Sequence, residues 1–167
     1  MTSKDILISQ FKACYNEEVW FVPLTRALEG LTPEQATGSS EGENHSIREL
    51  VSHLIFWNER YLIRFRGEKP PPMEIENNAE TFSDEIASIK GMDWGDAVER
   101  LCNVMDEWLV LLEKADDEKL GSIAIEGYEG IWYAEIANIN IHNAYHVGQI
   151  VTLRKQQGLW KPEPEAN

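Results

Sequence analysis

The sequence predicts an all-α fold, a four-helix bundle with a long crossover link between its second and third helices. Three observations carry that expectation. Apolar residues recur at helical spacing in four long segments. No stretch alternates at strand period for long enough to build a sheet. A proline-bearing stretch, 67–92, separates the second helical segment from the third and is long enough for a crossover connection. The 167 residues are expected to form one domain, 1–167, with 158–167 as a flexible tail.

The first helix is expected from about Ser3 to Gly30, with Ile6, Leu7, Phe11, Cys14 and Tyr15 at helical spacing. Pro23 lies inside it and predicts a kink or break just before that residue, because proline lacks a donor and clashes with the preceding turn. Thr32 as N-cap and Pro33 at the first helical position then open a short turn. In the second helix, Ser46 and Glu49 form a capping box immediately before an apolar run. Its expected buried face is Leu50, Leu54, Trp57, Tyr61 and Phe65, with Val51, Asn58 and Leu62 beside it. His45, just outside the cap, is read as setting the chain's entry into the helix.

Pro70, Pro71 and Pro72 forbid regular structure in the link, while 83–89 ("SDEIASI") reads as a short helix. A link of this length is also a candidate lid. The third helix is expected from the N-cap Asp93 to Lys114, with Ala97, Leu101, Val104, Trp108 and Leu111 as its stripe. Gly127 and Gly130 mark a turn. The fourth helix runs from about Ile131 to Gln157, with Gly158 as its stop. Apolar residues nearly encircle it, so it is expected to be the most buried of the four.

Composition removes several classes of function. The formal net charge is −14 and no Lys/Arg cluster is present, which argues against nucleic acid and anionic membrane surfaces as partners. Cys14 and Cys102 form no C-x-x-C pattern and read as buried thiols in a reducing compartment. The N-terminus lacks the apolar core of a signal peptide and the aliphatic runs are too short to span a bilayer, so a cytoplasmic protein is expected. Six tryptophans imply an aromatic-rich core or pocket.

Chemistry concentrates in the fourth helix. At 100° per residue, His142 and His146 stand roughly 40° apart, and Glu135, Asn138 and Gln149 share their sector. Polar groups on a buried helix cost roughly 1–3 kcal/mol each unless they are paired. A divalent ion would satisfy two imidazoles at i and i+4, at about 2.0–2.1 Å from each nitrogen. The pair alone equally fits two hydrogen-bonded or solvent-facing histidines. His53, at the edge of the apolar face of the second helix near Trp57 and Leu50, suits the rim of a cleft, or a histidine simply packed on Trp57.

The segments "WFVPLTRALEGLTPEQA", "NHSIRELVSHLIFW" and "IHNAYHVGQIVTLRKQQG" resemble the DinB-like (YfiT-like) metalloenzyme family, over nearly the whole chain. The resemblance implies a four-helix bundle holding one divalent transition metal, often nickel or zinc, through His53, His142 and His146. Three protein ligands leave open positions, as in a catalytic site. Gly148, Gln149, Ile150 and Arg154 match the family run, whereas Val147 stands where many members carry arginine. Related subfamilies include thiol S-transferases that use bacillithiol or glutathione, and members frequently form homodimers.

The expected function is therefore a metal-dependent enzyme transferring a low-molecular-weight thiol to an electrophilic small-molecule substrate. The alternatives are a metal-dependent hydrolase and a non-enzymatic, metal-stabilised binding module. Glu135, Asn138, Tyr145, Gln149 and Trp57 are candidates to support the ligands or touch substrate. No Ser/His/Asp pattern, phosphate loop or evident general base assigns a catalytic residue.

Overall fold

A computed structural model of the chain describes residues 1–38 and 45–160. The part of the expected tail at 161–167 lies outside the described residues. The helices are α1 Ser3–Tyr15, α2 Leu24–Leu28, α3 Pro33–Thr37, α4 Ile47–Phe65, α5 Trp94–Lys114, α6 Asp117–Gly121 and α7 Trp132–Gln156. A 3-10 turn spans Asn78–Phe82. The described residues hold no strand, only an isolated antiparallel bridge between Ile123 and Ile131. The fold is all-α.

Local sequence explains where the helices begin. Thr2 with Asp5, Thr32 with Gln35 and Ser46 with Glu49 form reciprocal capping boxes on α1, α3 and α4. Each satisfies two backbone donors that a helix start otherwise leaves open. Asp93 caps α5 by accepting from the Asp96 amide.

The first helix stops well before the expected break at Pro23. It ends at Tyr15, and helix resumes only at Leu24, with Pro23 as an extended N-cap (ψ 165°). Proline pushes Val22 out of the helical region. The bulky Val19, Trp20 and Phe21 before it add little helix preference of their own. The short helix expected at 83–89 is also displaced. The regular turn lies earlier, at Asn78–Phe82, and 84–88 form turns ended by Ser88 in the left-handed region (φ 57°).

The core is built on Phe11, Leu50, Leu54, Leu101, Trp108, Trp132 and Ile150, each almost fully buried. Among the long helices, α4 packs on α5 and α7, and α1 packs on α7 and α5, which closes a ring of contacts around that core. Helix α7 departs from the near-complete burial expected of it. Ile141 and Tyr145 are 69% and 63% exposed, because the ring of neighbours leaves one face of α7 uncovered. In α4, Trp57 and Tyr61 are only half-buried, whereas Ser52, His53, Ile55 and Phe56 are buried. The link covers that second side of α4, so its burial exceeds a single amphipathic stripe.

Arginines pin the link. Arg48 Nε donates to Asp84 Oδ2 (2.7 Å) and its Nη2 to the Met92 carbonyl (2.8 Å). Ser52 Oγ donates to the other oxygen of Asp84 (2.6 Å). Arg100 grips Glu59 with two bonds and reaches the Ser88 carbonyl at 2.9 Å. These contacts hold Thr81 and Phe82 down on α4.

A buried amide pair joins α4 to α7. Asn58 Nδ2 donates to Asn143 Oδ1 (2.9 Å), and Asn143 Nδ2 donates back to Asn58 Oδ1 (3.1 Å). The Asn58 carbonyl also accepts from Trp108 Nε1 on α5 (3.1 Å). Asn143→Ala strands a buried amide, so equilibrium denaturation should show a loss of about 2–3 kcal/mol. The double variant Asn58→Leu/Asn143→Leu should lose less than the sum of the two single changes. Strict additivity would refute the pairing.

Candidate metal centre

Two helices and the link build the centre. Helical periodicity sets His142 and His146 one turn apart on α7, and α4 brings His53 to face them. His53 Nε2 lies 2.9 Å from His142 Nε2, which lies 3.1 Å from His146 Nε2. The three ligand atoms fall within 4.8 Å of one another and could hold a metal ion. Nitrogens bound to one ion at about 2.0–2.1 Å stand roughly 2.9–3.4 Å apart across octahedral or tetrahedral edges, so the two short separations fit.

The outer ring atoms decide what the inner ones can do. His53 Nδ1 is 2.6 Å from Thr81 Oγ1. That hydroxyl donates its single proton to the Asn78 carbonyl (2.6 Å), so it accepts from His53. His146 Nδ1 is 2.6 Å from Gln149 Oε1, an acceptor only, so it too carries the proton. Both Nε2 atoms therefore present lone pairs toward His142. One proton on His142 Nε2 satisfies only one of them, whereas a cation satisfies all three nitrogens. Histidine ligands commonly have their other nitrogen held in this way.

Burial keeps the rings neutral. His53 is 1% exposed, and its pKa is lowered to about 3, first by desolvation and then by the neighbouring His146, His142 and His45. His146 is lowered to about 4, again first by burial and then by His142. His142 is half-buried and is lowered by burial as well. His53 does not sit at a cleft rim, as the sequence predicts, but beneath the link. Phe82 stacks on its ring (4.0 Å, 10°) and is itself stacked on His45 (3.7 Å, 2°). His45 thus forms the outer leaf of an aromatic stack and contributes no nitrogen to the cluster.

A cleft of about 310 Å³ opens beside His142. Trp57, Tyr61, Asn78, Glu135, Asn138 and Ile139 line it. It gathers three of the expected supporting residues, Trp57, Glu135 and Asn138, on one side of the histidines. Gln149 instead orients His146. Tyr145 faces a separate groove with His45, Gly148 and Thr152, its ring edge-on to His146 at 5.0 Å. Larger grooves lie elsewhere, such as one of about 610 Å³ along Arg60 and Pro70–Pro72, but the histidines line none of them except through His45. The cleft at His142 is the one beside the chemistry. Thr81, Phe82 and Asn78 join the site from an aperiodic link, where no sequence periodicity marks them. Tyr61, expected on the buried face of the second helix, instead forms a cleft wall.

Neutral burial has a pH consequence in metal-free protein. The unfolded chain binds protons at histidine near its ordinary pKa of 6.5, but folded His53 and His146 do so only near 3 and 4. Within that window the unfolded state binds more protons, so stability is complete above about pH 6.5 and falls as pH drops toward about 4. The expected slope is roughly 1.4 kcal/mol per pH unit for each such histidine. Denaturant midpoints measured with chelator near neutrality and near pH 5 check this; no change, or a rise at the lower pH, would contradict it.

Comparison with known proteins adds the family. No helix among the described residues is long and apolar enough to cross a membrane. No curated protein and no solved structure matches the chain. A family model described as the DinB superfamily matches residues 22–150, which includes all three histidines of the cluster and every residue lining the cleft. The chain belongs to the DinB superfamily.

Proposed function

We propose that His53, His142 and His146 hold one divalent transition ion, nickel or zinc, and that the chain is an enzyme using it to transfer a low-molecular-weight thiol to an electrophile. The observation that carries this reading is the convergence of three Nε2 atoms, two of them, on His53 and His146, with their outer ring protons committed to Thr81 and Gln149. When bound, such an ion supplies a Lewis acid that favours the thiolate form of a coordinating thiol at neutral pH.

The chain's own residues do the rest. Thr81 and Gln149 fix the ring orientations and keep the Nε2 lone pairs free. Phe82 seals the far side of His53 from water. His142, only half-buried, borders the cleft, so a small molecule reaches the centre from that side. Trp57 and Ile139 give the electrophile an apolar wall. In the overall reaction the thiol's sulfur bonds to the electrophilic carbon, the leaving group departs with its electron pair, and the thiol proton passes to solvent. The free Cys14 and Cys102 suit a reducing, cytoplasmic setting for such chemistry.

Monobromobimane consumption should depend on added low-molecular-weight thiol and on the protein. His142→Ala should lower the protein-dependent rate by about 100-fold or more, because the open side of the site is lost. Thiol-independent release of acid or amine from esters and amides would favour hydrolysis instead. No turnover with either class would leave a metal-stabilised binding module.

A further inference from the structure

Glu135 is a buried carboxylate that nothing in the metal site uses. It is 6% exposed and lines the cleft that borders His142. Among the described residues no lysine or arginine forms an ion pair with it. The Tyr61 hydroxyl hydrogen-bonds to it, and the Tyr61 pKa is shifted upward first by burial and then by the Glu135 carboxylate. The N-terminal turn of α7 offsets part of the cost of that charge but supplies no counterion. The Tyr61 hydroxyl is a single neutral donor, and a carboxylate has room for several, so a ligand in the cleft can supply the donors and the charge that the protein does not.

The surroundings define the partner's chemistry. Trp57 and Tyr61 line the same cleft, with ring centroids 6.4 Å apart. Arg64 lies over the Tyr61 ring at 5.3 Å, so that ring already attracts a cation on part of its surface. Tyr128 closes in from the turn before α7. A β-carbon on Gly130 would stand 2.5 Å from the Tyr128 ring and 2.6 Å from Glu135 Oε1. Only glycine lets the ring and the carboxylate approach so closely there. Aromatic faces around a carboxylate are the chemistry that recognises an ammonium group.

We propose that the cleft takes a ligand carrying an ammonium group, bound by Glu135 against Trp57 and Tyr61, at the end of the cleft remote from the histidine cluster. Glu135 precedes His142 by two turns, roughly 10 Å along the helix axis. A ligand spanning both ends therefore carries its amine several bonds from the group that meets the histidines. The assignment deepens the thiol-transfer reading by making the thiol an amine-bearing one. The cation subsite itself needs no ion.

Calorimetry on the intact protein tests it with aminohexanethiol, mercaptohexanol and hexylamine, against wild type and Glu135→Gln. On wild type, aminohexanethiol should bind about tenfold tighter than mercaptohexanol, the gain expected of one charge-assisted contact. Glu135→Gln should abolish that margin while leaving the Kd of mercaptohexanol unchanged. Hexylamine should bind in a Glu135-dependent way even after chelation. Failure of the metal reading would show as loss of mercaptohexanol binding with the hexylamine response intact. Equal affinity of the two thiols for wild type, or a margin that survives Glu135→Gln, overturns the subsite. Should Glu135→Gln melt early, Trp57→Leu serves instead. Its aminohexanethiol-to-mercaptohexanol ratio should fall, and an unchanged ratio overturns the proposal.

Discussion

Three neutral imidazoles meet at one point between α4 and α7, and much of the surrounding structure exists to hold them there. His53 and His146 are buried with their outer protons committed to Thr81 and Gln149, and the three inner nitrogens stand about as close as coordination to one ion requires. Lone pairs aimed at one another are unfavourable in a dry interior unless a proton or a cation lies between them. The Asn58–Asn143 pair ties the same two helices together beside the cluster. The clamp of Arg48 and Ser52 on Asp84 holds the link that carries Thr81 and Phe82 over His53.

The centre is asymmetric. On one side Phe82 stacks on His53 and shuts it off. On the other, the cleft reaches His142 and continues along α7 to Glu135. A cleft with three converging histidines at one end and a buried carboxylate at the other would, under the proposed function, select ligands by length and by charge at both ends. The formal charge of −14 points the same way, since an acidic protein attracts cationic small molecules more readily than anionic ones.

Helical parts of the site were legible in the sequence, and the rest was not, for a physical reason. His142, His146, Glu135 and Gln149 share one sector because α-helical geometry fixes their relation, and the capping box at Ser46 located the helix that carries His53. The burial of His53 could not be read from α4 alone. It depends on Thr81 and Phe82, which sit on a link with no periodicity and reach the site through tertiary contacts. Trp57 and Tyr61 fit an apolar stripe equally well whether they line a core or a cleft, so their half-exposure was hidden too. The early end of α1 is not legible in the sequence, because a proline marks where helix is forbidden, not how far back the preceding residues give it up.

X-ray absorption at the metal edge of untagged protein, purified without chelators, tests the central claim most directly. The account predicts about one nickel or zinc ion per chain, with three imidazole nitrogens at about 2.0–2.1 Å and the remaining positions filled by oxygen ligands in exchange with solvent. Protein that holds less than about a tenth of an ion per chain after supplementation with either metal would contradict it. So would a spectrum that His53→Ala leaves unchanged.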